Sequence, residues 1–201
     1  MEDWPKVGDS IWATGSDWEA EALLGECFDW FAVYAASYKT AADKVVERVE
    51  TKQIDPNEVS YAVCFLYRHY VEIMLKALIK IGSLHHFQKG DSNRGKFPAT
   101  HSIFGLWQQC RPLIEEAYEE GEKAETDAVE SCLKELHGLD PTSESFRYGE
   151  SKGKPTLPHK PQINLIHLRN VMARLSGFLE ANYAWMDHLR DFEADVDYDA
   201  W

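Results

Sequence analysis

Positive charge is scarce in this chain of 201 residues: 21 lysines and arginines face 34 acidic residues, for a net charge of −13 with the eight histidines neutral. Such a balance excludes general coating of nucleic acid and adhesion to anionic membranes, because both reward a basic surface. Cysteine is scarce as well. Cys27, Cys64, Cys110 and Cys132 lie far apart and form no Cys-x-x-Cys pair, so we expect buried free thiols in a reducing cytoplasm and no zinc site. Long apolar runs are missing: the longest nearly unbroken stretch is Tyr61 to Tyr67, far short of the roughly 20 residues of a membrane span. The first residues lack the basic start and apolar run of a signal peptide. A cytoplasmic protein without membrane association is the expectation. There is no Gly-x-x-x-x-Gly-Lys-Ser/Thr phosphate loop, no dinucleotide fingerprint and no His-x-x-x-His pair. His85 and His86 are adjacent and would diverge on a helix. No metal and no cofactor is expected.

The scarcity of base is uneven along the chain. Residues 1–60 hold 5 bases and 13 acids, and residues 113–145 hold 2 and 11. By contrast, residues 61–112 hold 7 bases and 2 acids, a net +5. Residues 146–174 carry Arg147, Lys152, Lys154, Lys160, Arg169 and Arg174 against Glu150 alone, again +5. Two readings fit: solvated faces distributed by chance, or two basic blocks that the fold unites as a focused anion site in an acidic shell.

What the chain does have is helical periodicity. Residues 1–15 read as an irregular arm with Trp4 and Trp12, which either folds back on the core or docks on a partner. Residues 16–190 read as one helical domain, a size that can close a real core. Ser16 with Glu19 is a capping-box start, and the apolar spacing then predicts a helix to about Glu50. Asp55-Pro56-Asn57-Glu58 is a stronger start, for a largely apolar helix that Gly82 would stop. On that rod Arg68, Glu72, Lys76 and Lys80 recur at steps of four, with His69 beside them. The stripe is either an ion-paired solvent edge or a cationic pocket wall oriented by Glu72. A basic loop follows from Ser83 to Ala99, with Arg94 among its cations, and Thr100 is the expected cap of a helix that Pro112 kinks or restarts. Residues 113–137 form an acidic hairpin region broken near Gly121, Asp140 to Ser143 a turn, and Ser145 to Pro161 a long loop. Asn164 caps a last helix through about Phe192, and residues 191–201 read as a frayed acidic tail. Alternation of period two never persists, so the expected class is all-α, an up-and-down bundle of about five main helices.

Three segments resemble HEPN domains. Tyr67 to Ile79, with Glu72 and Lys76 ahead of Ala77-Leu78, resembles their central helix. Thr100-His101-Ser102-Ile103 resembles their Thr-His-Asp-Leu helix start, with serine in the place of the acid. Phe146-Arg147-Tyr148-Gly149 resembles their Arg-Tyr-Pro loop, with glycine for proline. Order and spacing fit over residues 20–190, and the resemblance is nearest to a set of uncharacterised bacterial proteins. It implies a helical bundle, often dimeric, of prokaryotic toxin–antitoxin and anti-phage systems. Some members are metal-independent ribonucleases; others bind nucleotides or only support a partner. The ribonuclease members use an arginine and a histidine with four to six residues between them, and the one such pair here is Arg94 and His101.

Metal-free RNA cleavage needs a base for the 2′-hydroxyl proton and cations for the phosphorane, roles that suit histidine and arginine. The candidate catalytic residues are therefore His101, Arg147 and Arg68. His69, Glu72, Lys76, Arg94 and Tyr148 are the candidates for binding or orienting phosphate. His101 equally suits a helix cap or core, and Arg147 a loop tie. The expected function is engagement of RNA or nucleotide phosphates, with metal-independent RNA cleavage as the candidate activity, by a homodimer or with a cognate bacterial partner. The alternative is a non-catalytic interaction subunit of such a system. An acidic tail that mimics nucleic acid and occupies the basic site is a third reading.

Overall fold

The computed structural model describes residues 4, 6–7, 18–22, 24, 30–86, 95–117, 123–157 and 162–198, without the side chains of 18, 30, 85–86, 123–124 and 191–198. The chain is an all-α bundle, with five helices among the described residues: α1 (Trp30–Glu50), α2 (Pro56–His86), α3 (Ile103–Ala117), α4 (Lys123–Leu139) and α5 (Leu165–Tyr198). No described helix is long and apolar enough to cross a membrane. Cys64, Cys110 and Cys132 are free thiols, and burial pushes the Cys64 thiol up to about 11.

Helix α2 is the axis of the bundle, packed against α1, α3 and α5. Its burial follows from its composition. From Val63 to Ile81 nearly the whole circumference is apolar, and Val63, Tyr67, Val71, Leu75 and Leu78 have no exposed surface. Large aromatics bury their rings and send a polar tip to the next helix. The Tyr67 hydroxyl donates to Asp43 on α1 at 2.6 Å, the Tyr70 hydroxyl to Glu180 on α5 at 2.9 Å, and Trp107 Nε1 to Glu130 on α4 at 3.0 Å.

The expected helix starts and stops meet their structural counterparts unevenly. Asp55 caps α2, its Oδ1 accepting from the Asn57 amide at 2.8 Å, and Asn164 caps α5 by accepting from the His167 amide at 3.0 Å. At the end of α1 the Gln53 amide reaches Arg48 O and the Lys52 amide reaches Val49 O, with Lys52 at φ 58°. This is a Schellman ending that uses lysine where glycine is usual.

Four expectations need correction. Ser16 lies outside the described residues, and the helix expected from there to Glu50 is not continuous: a short 3₁₀ turn, Trp18–Ala20, is followed by irregular residues 21, 22 and 24, and α1 begins at Trp30. Gly82 does not stop α2, which continues to His86. A Cβ at Gly82 would meet Leu113 Cβ at 3.0 Å and Met186 Sδ at 3.4 Å, so the glycine is needed for close approach of three helices. Ser102, not Thr100, caps α3, its Oγ accepting from the Gly105 amide at 3.1 Å, while Thr100 Oγ1 accepts from the Ser102 amide. Pro112 does not restart that helix either. Ile103, Leu106, Trp107 and Cys110 before it and Leu113 and Ile114 after it form one buried stripe, and that packing offsets the missing hydrogen bond.

The loop after α4 contains a small antiparallel hairpin, β1 (Glu150–Ser151) and β2 (Lys154–Pro155), in which Glu150 faces Pro155. Lys152 and Gly153 turn it with φ of 52° and 75°, the left-handed pair of a tight hairpin turn. Helix α5 runs past Phe192 to Tyr198, so most of the expected acidic tail is helical backbone.

Candidate functional site

From Arg68 to Lys76 the polar stripe on α2 is ion-paired and buried, while Lys80 at its end is exposed. Arg68 has no exposed surface, Glu72 is 2% exposed and Lys76 6%. Every nitrogen of the Arg68 guanidinium is engaged. Nη1 donates to Glu72 Oε2 at 2.8 Å and Nη2 to the His101 carbonyl at 2.6 Å. Nε lies 3.0 Å from Asp140 Oδ2 and donates to the Asp140 carbonyl at 3.3 Å. Lys76 Nζ takes Glu72 Oε1 at 2.8 Å, and its charge lies 5.2 Å from the centre of the Phe97 ring.

Glu72 therefore joins three cationic or donor groups. Burial pushes its carboxyl up, but hydrogen bonds from Lys76, Arg68 and His101 outweigh burial and hold it below the usual carboxylate range. It is thus an anion, and an anionic carboxylate only accepts. Its third contact is His101 Nδ1, 2.8 Å from Oε1, so Nδ1 carries a proton and Nε2 of the neutral ring is left as the basic nitrogen. The His101 side chain is 65% exposed although its carboxylate partner is buried. The site thus presents an oriented imidazole on a rigid base.

The turn that leads into the second basic block is tied to this network by Asp140, which has no exposed surface. Its Oδ1 accepts from the Glu144 and Ser145 amides at 2.9 and 3.0 Å, which shapes the loop ahead of Arg147. Arg147 Nε donates to the Ser143 carbonyl, and its guanidinium sits 5.4 Å from the centre of the Tyr148 ring. Both residues are exposed. His69 is half-buried between Tyr38 and Phe65, at ring distances of 4.5 and 5.6 Å. Burial lowers the basicity of His69 and Glu72 opposes this, while the charges of Arg68, Lys76 and Arg147 lower it further.

The expected site residues thus separate into layers. His101, Arg147 and Tyr148 are exposed; Arg68, Glu72 and Lys76 are buried, with Arg68 and Glu72 in contact with His101, and His69 packs between rings. Arg94 lies outside the described residues. Arg68, expected among the catalytic groups, has no exposed surface and holds the His101 carbonyl and Asp140. Nor is the stripe a cationic wall, because Arg68 and Lys76 are matched by Glu72 and Asp140. Asp140 was missed as a site residue. Its signal was the turn sequence Asp140-Pro141-Thr142-Ser143, which reads as local geometry and gives no hint of an arginine 72 positions upstream.

Other features compete poorly as sites. Gly149 to Gly153 spell Gly-x-Ser-x-Gly, but the serine lies in the hairpin, not on a strand-to-helix turn, and its Oγ donates to Glu144 at 3.0 Å. A cleft of about 380 Å³ between α1 and α5, lined by Asp43, Glu47 and Arg169, includes none of the expected site residues. The same is true of one of about 210 Å³ between α4 and α5, beside Cys132 and His167. Among the described residues no group of histidine, cysteine and carboxylate side chains could hold a metal ion. No family model, no curated protein and no solved structure matches the chain.

Proposed function

We propose that this chain is a HEPN-type protein that engages RNA or nucleotide phosphates, with His101 as general base in metal-independent RNA cleavage. The observation that carries the reading is the 2.8 Å contact between His101 Nδ1 and the buried Glu72 anion, beneath an imidazole whose side chain is 65% exposed. A base held this way can take a 2′-hydroxyl proton through Nε2 while Glu72 stabilises the imidazolium that forms. The loop cation Arg147 is suited to a phosphate oxygen. In cells the protein would act in a bacterial toxin–antitoxin or anti-phage system.

The test is incubation of wild-type protein, His101→Ala and Arg147→Ala with total RNA in the presence of a metal chelator. Loss of the base should slow cleavage about 10²- to 10⁴-fold. Absence of His101-dependent cleavage, together with no binding of RNA or nucleotide, would overturn the proposal.

A second reading, a non-catalytic interaction subunit, rests on Val33 and Tyr34 of α1 and Tyr61 of α2. These large side chains are 51, 48 and 58% exposed on two helices that pack together. If they dock a second copy or a cognate protein, Val33→Asp with Tyr61→Asp shifts the eluted mass downward without loss of helicity.

A further inference from the structure

Resting on the phosphate-engaging reading, we propose that the hairpin loop 147–156 is a platform for single-stranded RNA: Tyr148 stacks a base, and Arg147, Lys152 and Lys154 take the flanking phosphates, presenting the strand to His101. The buried network cannot supply the positive charge such a ligand needs, because Arg68 and Lys76 are already matched by Glu72 and Asp140. Exposed cations are present on the hairpin, in the loop that Asp140 ties to Arg68, as well as at Lys80 and Lys96. Arg147, Lys152 and Lys154 are all exposed, with Glu150 as the one acid in the segment. Tyr148, beside them, is 55% exposed, and the Arg147 guanidinium lies 5.4 Å from its ring centre. An exposed aromatic among cations is the composition that binds single strands, whose unstacked bases lie on the ring while the backbone meets the charges. A duplex keeps its bases stacked and cannot use the ring.

The platform is built rather than loose. Thr156 Oγ1 donates to the Tyr148 carbonyl, the Thr156 amide to the Gly149 carbonyl at 3.3 Å, and Ser151 Oγ to Glu144 at 3.0 Å. The loop is fastened at its root by Asp140, which binds the same arginine that grips the His101 carbonyl. One guanidinium thus fixes both the base and the platform. The lysine at the turn is also informative. Lys152 sits at φ 52°, where glycine or asparagine is favoured, so a charge is kept at a strained tip.

The test measures fluorescence anisotropy with a labelled ten-nucleotide RNA, 2′-O-methylated so that it cannot be cleaved, alone and annealed to its complement. Wild-type protein should bind the single strand at least about tenfold more tightly than the duplex. Tyr148→Ala should weaken single-strand binding about tenfold and Tyr148→Trp should restore it. Lys152→Ala with Lys154→Ala should flatten the log–log salt slope by about 1.4, roughly 0.7 for each lost phosphate contact. Equal binding of duplex, or single-strand binding unchanged in Tyr148→Ala, would overturn the platform. His101-dependent cleavage that is indifferent to all the hairpin substitutions would do the same while leaving the catalytic reading intact. Wild-type protein that neither binds nor cuts any RNA removes both.

Discussion

Two arginines in this bundle each hold a cluster of carboxylates, and they do different things. Arg111 on α3 reaches Glu115, Asp127 and Glu130 at 2.7 Å each, a fan of charges between α3 and α4. Hydrogen bonds from Lys134, Arg111 and Trp107 hold the Glu130 carboxyl down at about 2. Yet its members keep solvent, with Arg111 at 25% and Asp127 at 68% side-chain exposure. Water competes for each bond, and side-chain ordering offsets much of the attraction. Arg68 has fewer charged partners and no solvent at all. It binds Glu72 of its own helix, but its other contacts are the backbone of residue 101 and the side chain and backbone of residue 140. The surface fan decorates a contact that Trp107 and its apolar neighbours already make. The buried arginine is the contact.

The difference can be broken most sharply by truncation. Arg68→Ala removes the buried partner shared by Glu72 and Asp140, leaving Glu72 with Lys76 and His101, and should cost about 3–5 kcal/mol in urea-induced unfolding. Arg111→Ala should lose only a fraction of that, and less still at 1 M salt, where surface charges are screened. Equal losses from the two would dissolve the distinction.

A subtler probe is Glu72→Gln, which keeps shape and removes charge. Above the ordinary glutamate range it should be less stable than wild type by about 1–3 kcal/mol, as for a charged buried hydrogen bond. Because the fold lowers the Glu72 pKa, its ionised form adds stability that is fully present above about 4.5 and fades as pH falls through the lowered value. The gap between the two proteins should therefore close on acidification below about pH 4.5. A gap that is constant with pH would mean that Glu72 acts through packing alone. The smallest effect on stability is expected for His101→Ala. Its side chain is 65% exposed, so thermal melting should hardly change although the proposed chemistry is lost.

Much of the fold was legible because it rests on short-range signals. Asp55-Pro56 and Asn164 behave as caps because a side-chain oxygen needs only an amide two or three residues away. The apolar circumference of α2 announces its burial in the same local way. Gly82 misled because a glycine that ends a helix and a glycine that admits Leu113 and Met186 have the same spelling. The hairpin at 150–155 was invisible since two-residue strands show no alternation. In the site, steps of four correctly aligned Arg68, Glu72 and Lys76 on one face. Whether that face meets water or protein depends on residues 101 and 140, which no pattern within α2 encodes. Asp140, which lies in neither basic block, ties Arg68 of the first to the turn that leads into the second.

The Arg68 junction also fixes an order of events. Its bonds span 33 residues to His101 and 72 to Asp140, so they close large loops that only docking of the helices can afford entropically. During synthesis the chain makes α2, then the histidine, and then must wait for residue 140 before the arginine beneath them is fully held. A chain halted ahead of that point carries Arg68, Glu72, Lys76 and His101 but lacks the piece that locks them. The support beneath the imidazole is thus complete only when residue 140 has docked on Arg68.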